Sequence, residues 1–517
     1  MNRPFHPILF SIYPVLALYS VNTALVPPGD VPIPLAVTLV VALLFWGMLS
    51  LILRNAGRAA VATSLSVITL YAYGHIWNLC DQNRLLKEFF GDKEGLLWAW
   101  SLLFILVMVA GGWKWKRSEA ITRGMNFFGM VLLIMPVSSI GLSWFNVWRG
   151  TTVAKASSGV ASLSTQDRPD IFYIILDGYG RSDAVKRVIG FDNEWFVKGL
   201  EARGFYVPRN SRSNYCETEL SLSSSLNLDY LPTLLPKIDP NHTDRVILDR
   251  LIDKSQVSSY LKGIGYRYEA VTTGFPSVHP DSADLWLRKD IGISLFEGVL
   301  LSETPLPARD PMSSMSQFDS RRIILKSAFS NLETLAKSGT QPRFIFVHIL
   351  APHPPFVFDA NGGSVRPKKM GYSIVDGNHF YQNGGTREEY QAGYAGQATY
   401  ISKLLLPAVD KIIKLSSKPP VIIIQGDHGS KLNLDQELLE KTDVNECFPN
   451  LNAFYVPPKV RANLYDSITP VNSFRLLFNG LFNDRFEKLP DKSYYSGWSS
   501  PFKFEEVTSR IKTRSTN

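Results

Sequence analysis

Five stretches within the first 150 residues, at about 7–26, 33–53, 59–80, 95–113 and 124–148, contain no Asp, Glu, Lys or Arg. An α-helix rises about 1.5 Å per residue, so about 20 apolar residues cross the hydrocarbon core of a bilayer. Helices buried in a soluble core do not come five in succession at this length. The pattern therefore predicts a five-span transmembrane anchor over residues 1–149. A cleavable signal peptide does not fit the first stretch, because Pro14 interrupts it, no small-residue cleavage pattern ends it, and four more stretches follow.

Charge divides the chain at the same place. The 517 residues have a formal net charge of +8 and a mean hydropathy near zero. Residues 1–150 hold 11 Lys/Arg and 6 Asp/Glu, whereas the other 367 hold 43 and 40. A charge-balanced soluble part is joined to a nearly uncharged one, which excludes a fully soluble protein, a disordered tail and a nucleic-acid binder built on a basic patch. Lys and Arg are retained on the cytoplasmic side of a membrane. With the N-terminus inside, the inner segments carry Arg3, Arg54, Arg58, Lys114, Lys116, Arg117 and Arg123, and the outer loops carry only Arg84, Lys87 and Lys93. Five spans then place everything after Arg149 outside the cytoplasm.

Residues 150–168, small and polar, read as a flexible linker. Residues 169–517 contain short apolar runs bounded by Gly, Pro and Asp: Asp170–Leu176, Phe205–Val207, Tyr266–Val271, Phe344–Leu350, Val421–Gln425 and Ala453–Val456. The longest are continuously apolar, as strands of a parallel sheet covered on both faces are. A helical stripe of Ile401, Leu404, Leu405, Ala408 and Ile412 marks a helix over about 392–415. The expected fold is α/β, a mostly parallel central sheet behind a bundle of five transmembrane helices. Of the three cysteines, Cys80, Cys216 and Cys447, the last two fit either a disulfide or buried free thiols, and the absence of Cys-x-x-Cys excludes a thiolate zinc site.

Three segments carry residues suited to chemistry. Asp177-Gly178-Tyr179-Gly180 follows the first strand, and Gly426-Asp427-His428-Gly429 follows Val421–Gln425. Ligands of open α/β sheets bind beyond the carboxyl ends of strands, so both segments face one crevice. Two carboxylates and a neutral imidazole suit Zn²⁺ or Mn²⁺ with coordination positions left open. A lone Asp-Gly is more often a turn and a lone Asp-His-Gly a helix cap; the preceding strands give them specificity. The third segment, Asn214–Asn227, contains Thr218-x-x-Ser221-x-x-Ser224 at a predicted helix start, where anions bind. By itself Thr218 is a cap; beside a divalent metal its hydroxyl becomes a nucleophile.

Together these segments, in this order over residues 168–480, resemble the alkaline phosphatase/sulfatase-like superfamily. The resemblance is to its membrane-anchored phosphotransferases, the phosphoethanolamine transferases and lipoteichoic-acid synthases. It implies that Asp177, Thr218, Asp427 and His428 hold one divalent metal, Zn²⁺ or Mn²⁺, and that Thr218 is the nucleophile. It also implies that His353, in Ala351-Pro352-His353-Pro354-Pro355-Phe356, contacts the transferred group. Two departures bear on the reaction. Cys216-Glu217-Thr218-Glu219-Leu220 lacks the Pro and Arg of a formylglycine motif, and Gly178 stands where sulfatases usually carry a second Asp, which disfavours sulfate ester hydrolysis. His428 is the last of eight histidines, so the further downstream histidine of two-metal relatives is missing and a single-metal site is expected. Of the others, His348 reads as a satisfied core histidine, His379 as a residue able to line the pocket, and His6, His75 and His242 as bystanders.

The expected protein is thus an enzyme of the bacterial cytoplasmic (inner) membrane with its catalytic domain periplasmic. It would move a phospho-group, such as phosphoethanolamine or glycerol phosphate, from a phospholipid donor to a surface glycan or lipid acceptor through a phospho-Thr intermediate. The alternatives are a phosphate or sulfate ester hydrolase and a non-catalytic lipid-binding regulator. Membrane lipids are the expected partners and nucleic acid is not.

Overall fold

The computed structural model describes residues 3–514 except 24, 25, 27, 83–85, 87, 88, 91, 92, 113–117, 151–167, 276, 288–294, 307–311, 338, 340 and 369. The expected linker, residues 150–168, lies almost wholly outside the described residues. Five apolar helices come first: α1 (His6–Ser20), α2 (Pro32–Leu53), α3 (Ala56–Gln82), α4 (Lys93–Gly112) and α5 (Ser118–Gly150). They are followed by β1 (Ile171–Leu176), α6 (Ser182–Ile189), α7 (Glu194–Glu201), α8 (Thr218–Leu226), α9 (Val246–Asp253), α10 (Gln256–Gly263), β2 (Arg267–Thr272) and β3 (Leu285–Leu287). Next come α11 (Leu295–Ser302), α12 (Met312–Leu335), β4 (Arg343–Ile349), α13 (Arg387–Leu415), β5 (Val421–Gln425), β6 (Asn452–Tyr455), α14 (Pro470–Phe482), β7 (Tyr494–Gly497) and β8 (Ser500–Glu506). Two compact units result: Met1–Thr151 with Gly292–Met315, and Thr152–Ile291 with Ser316–Asn517.

In the first unit, three of the described helices are long and apolar enough to cross a bilayer, within Pro28–Leu53, Ala56–Cys80 and Glu119–Ser143; two shorter apolar helices, His6–Ser20 and Gly95–Ala110, accompany them. Val41, Leu44 and Leu51 of α2 and Ile134 and Met135 of α5 are exposed, a surface that water does not tolerate but lipid does. Inside, small polar residues of α3 replace large apolar ones: Thr63, Ser64 and Ser66 are buried, and Ser64 Oγ lies 2.7 Å from His6 Nδ1. Asn126 Oδ1 accepts from the free N–H groups of Phe5 and His6 at the start of α1, at 3.1 and 2.9 Å.

The second unit is built on a six-stranded sheet of order β3-β2-β4-β1-β5-β6, parallel except for β6, which pairs antiparallel to β5 at one edge. The unbroken apolar run of β1 is explained by double covering. Phe172, Ile174 and Leu176 enter one core, with Val185 of α6, Leu325 of α12 and Ile401 of α13; Ile171, Tyr173 and Ile175 enter another, with Leu222 of α8 and Phe474 of α14. The stripe expected on 392–415 lies within α13, where Ile401, Leu405, Ala408 and Ile412 are buried.

One local expectation needs correction. Phe205–Val207 is no strand; only Tyr206 bridges, its N–H donating to Phe454 O at 2.8 Å. The pairing stops there because Pro208, which has no N–H to donate, follows directly. Conversely β3 and the hairpin β7/β8 were not foreseen, since β3 has three residues and β8, Ser-Pro-Phe-Lys-Phe-Glu-Glu, is mostly polar.

Candidate metal centre and active site

Because β1 and β5 are parallel neighbours, their carboxyl ends lie side by side, and the residues just after them meet. Asp177 directly follows β1 and Asp427 lies two residues past β5. Asp427 Oδ1 accepts from the N–H of Gly178 at 2.9 Å and of His428 at 3.1 Å, which turns Oδ2 inward. Gly178 has φ +74°, a left-handed conformation that side chains rarely adopt. That backbone accounts for a glycine where the resemblance leads one to expect a second Asp.

His428 Nδ1 lies 2.8 Å from Gly429 O, and since a carbonyl only accepts, Nδ1 carries the proton and Nε2 the lone pair. Nε2 lies 3.4 Å from Asp427 Oδ2, 3.5 Å from Asp177 Oδ1 and 3.3 Å from Thr218 Oγ1. Thr218, 1 % exposed, is the first residue of α8, after Glu217 in extended backbone (φ −113°, ψ 138°). Its hydroxyl lies 3.4 Å from Asp177 Oδ2. Ser221, one turn on, donates to Asp427 O at 2.7 Å and ties the helix start to the end of β5. The hydroxyl therefore sits at the positive end of a helix dipole, against two acids and an imidazole.

Asp177, Asp427 and His428 can each offer a ligand atom within 4.8 Å of the others, all from buried side chains. Asp177 Oδ1 and Asp427 Oδ2 are buried without any hydrogen-bond partner. Such carboxylate atoms are costly unless a cation faces them. Burial first, and then the Asp427 charge, push the Asp177 carboxyl well above its ordinary range; burial and then Lys431 push His428 well below its own, keeping the ring neutral as a ligand must be. Two carboxylates, a neutral imidazole and a hydroxyl are a donor set that suits a divalent metal, and the orphaned oxygens show that these residues fit one.

The structure brings His353 to the same place. Its N–H donates to Asp177 O at 3.1 Å, its Nδ1 lies 2.6 Å from Pro354 O, and its Nε2 lies 3.4 Å from Asp376 Oδ2. Gln397 of α13 fixes the loop, donating to His353 O at 3.1 Å and accepting from Val357 N at 2.9 Å. His379 is half-buried on a short helix and none of its described bonds reach the site.

His348 requires a correction. The apolar strand around it suggested a satisfied core histidine. Instead neither ring nitrogen makes a hydrogen bond, Nε2 stands 3.2 Å from Asp177 Oδ2, and burial holds its pKa down to about 4. Near the end of β4, beside β1, it faces the Asp177 carboxylate.

Three more residues escaped the sequence reading. Lys431, buried three residues past His428, lies 3.6 Å from Glu217 Oε2, next to Thr218. Burial opposes its charge, but Glu217 and then Asp376 outweigh that and raise its pKa. Its loop is held by Glu446, which accepts from Ser430 Oγ at 2.8 Å, Leu432 N at 2.6 Å and Asn433 N at 3.0 Å; burial pushes that carboxyl up to about 7. Asp376 accepts from Tyr390 Oη at 2.8 Å as well as facing His353. A basic residue close behind Asp-His-Gly and an acid beside Thr218 were visible signals for Lys431 and Glu217; Asp376, in an irregular loop, had none. Cys216 and Cys447 are free and buried in one apolar cluster.

No family model matches the chain, and no curated protein matches it. Among solved structures it is similar to the C-terminal periplasmic domain of EptC from Escherichia coli in complex with Zn, at 12% identity over 69% of this chain and 98% of that one, with a TM-score of 0.42. It is also similar to the integral membrane protein lipooligosaccharide phosphoethanolamine transferase A from Neisseria meningitidis, at 12% identity over 93% of this chain and 96% of that one, TM-score 0.38. A third is a protein in the alkaline phosphatase superfamily from Vibrio parahaemolyticus, at 10% identity over 69% of this chain and 82% of that one, TM-score 0.36.

Proposed function

We propose that the chain is a membrane-anchored, metal-dependent phosphotransferase that uses Thr218 as its nucleophile. The observation that carries this reading is the convergence of two orphaned carboxylate oxygens, Asp177 Oδ1 and Asp427 Oδ2, on His428 Nε2, which itself lies 3.3 Å from the buried Thr218 hydroxyl. A divalent metal, Zn²⁺ or Mn²⁺, held by Asp177, Asp427, His428 and Thr218, would supply Lewis acidity and lower the hydroxyl's pKa. The chain's own residues do the rest. Thr218 Oγ1 bonds to phosphorus of a phospholipid headgroup as the bond to the lipid oxygen breaks. Asp177 Oδ2, 3.4 Å away, can take the hydroxyl proton. His353, its Nδ1 tied to Pro354 O and its Nε2 facing Asp376 Oδ2, hands the Nε2 proton to the leaving oxygen. Lys431 adds positive potential beside the nucleophile in a buried site, where charge counts for more than in water. A surface glycan or lipid hydroxyl then bonds to phosphorus, giving its proton to His353 as the bond to Thr218 Oγ1 breaks, and Asp177 returns its proton to Thr218.

The reading includes the anchor: five spans over 1–149, N-terminus inside, in a bacterial cytoplasmic membrane, with residues 169–517 as a periplasmic catalytic domain joined by the 150–168 linker. Tethering raises the local concentration of a lipid donor without new contacts. The test is mass spectrometry of the full chain after incubation with phosphatidylethanolamine and, separately, phosphatidylglycerol. An adduct on the peptide containing Thr218 is expected, absent in Thr218→Ala, and its mass names the donor. Lipid turnover by Thr218→Ala at the wild-type rate contradicts the proposal.

A further inference from the structure

Residues Gly292–Met315 interrupt the α/β unit in sequence yet belong to the unit of the N-terminal helices. Helix α11 buries Phe296 (3 % exposed) and Leu300 (6 %) in a cluster with Val15, Tyr19 and Val31, lined by Tyr71 and Ile140. The Phe296 ring meets Tyr19 edge-on, with centroids 6.5 Å apart. Just past α11 the backbone itself docks: Gly74 N–H donates to Glu303 O at 3.0 Å. A Cβ on Gly74 would come within 2.5 Å of Glu303 Cα, so this approach needs a glycine at that point of α3. Beside it His75 Nδ1 lies 3.3 Å from Glu303 Oε2.

All these partners lie at one end of the bundle. Val15 and Tyr19 lie near the end of α1, Val31 just before α2, Tyr71, Gly74 and His75 near the end of α3, and Ile140 late in α5. Helices α1 and α5 run the same way, with His6 N bonded to Asn126 Oδ1 at one end and Ser139 Oγ to Ser20 O at the other. The opposite end carries Arg3, the Arg54 and Arg58 turn between α2 and α3, and Arg123. Retention of positive charge makes that basic end cytoplasmic, so α11 is docked on the extracytoplasmic end.

We propose that Leu295–Leu306 is a second membrane attachment, a point at which the chain, after entering the α/β part, returns to the outer end of its own helix bundle independently of the 150–168 connection. Val299 (40 % exposed) and Leu306 (65 %), which the docked segment leaves uncovered, enter the outer-leaflet interface. This rests on the membrane orientation proposed above, and the experiment separates the two.

A specific protease site placed between Ser157 and Val160 of the full-length chain is cut in isolated membranes, which are then sedimented. Uncut protein that fails to sediment after a carbonate wash would overturn the anchor reading. If it sediments, cleaved wild-type α/β fragment is expected in the pellet. Phe296→Asp with Leu300→Asp moves it to the supernatant, raising the soluble fraction at least about tenfold, since two buried apolar side chains are lost from the dock. Gly74→Leu does the same from the other side, in a fragment that leaves the α/β part unaltered, so release there is not misfolding. Complete release of the wild-type fragment, or retention of the fragment with both sets of changes, overturns the proposal.

Discussion

Strand β1 has a buried aspartate at each end, and the two are treated differently. At the amino end Asp170 accepts from Arg343 N at 2.9 Å and Arg343 Nη2 at 2.7 Å, and Arg343 Nη1 reaches Glu269 Oε2 at 3.4 Å. Every charge there faces an opposite one. At the carboxyl end, Asp177 and Asp427 turn unpartnered oxygens towards each other's vicinity, with a neutral imidazole between. Buried acids with matched guanidinium are structure; buried acids without one are a site that costs stability until a cation binds.

The largest effect that sharpens this contrast is on turnover. Thr218→Ala should lower kcat by about 10³-fold or more while the far-UV spectrum and melting curve stay as in wild type. Next, Arg343→Met should destabilise the fold by about 3–5 kcal/mol in denaturant titration, because it strands Asp170 and Glu269 without a counter-charge. Lys431→Met should lower kcat/KM about 10–100-fold with unchanged metal content, as loss of one positive group near the transferred phosphate does.

The smallest effect has the opposite sign. In metal-free protein Asp427→Asn should stabilise by about 1–2 kcal/mol, because Oδ1 keeps its two N–H donors and the new amide can donate to His428 Nε2. A pH signature accompanies it. Burial and then Asp427 raise the folded Asp177 carboxyl above its ordinary 3.8, so the unfolded chain loses that proton first. Metal-free wild type should therefore lose stability as pH rises above that value, and Asp427→Asn should flatten the slope. Equal pH dependence in the two would remove the like-charge argument.

How much of this the sequence disclosed follows from the range of the signals. Continuous apolar runs announced β1, β4 and β5, because a strand covered on both faces must be apolar throughout; with them came Asp177, Asp427 and His428, placed by chain continuity. Thr218 and His353 needed a family resemblance, since a threonine at a helix start and a histidine among prolines have ordinary explanations. Asp376 stayed hidden because its partners His353 and Tyr390 meet it through loop geometry, which leaves no periodicity. The contact of Leu295–Ser302 with the N-terminal helices was equally illegible. An eight-residue apolar helix looks like any core helix, and its partners lie more than 150 residues away in sequence.

The central claim is that the carboxyl end of the sheet holds a divalent metal. The direct measurement is metal content of the purified full-length chain after equilibration with Zn²⁺, and in parallel Mn²⁺, and removal of free ion. The account predicts about one tightly held ion per wild-type chain and a loss of affinity of at least about tenfold in Asp427→Asn, with Arg343→Lys, altered at the other end of the sheet, unchanged. A metal-free wild-type chain, or equal retention by Asp427→Asn, would contradict it.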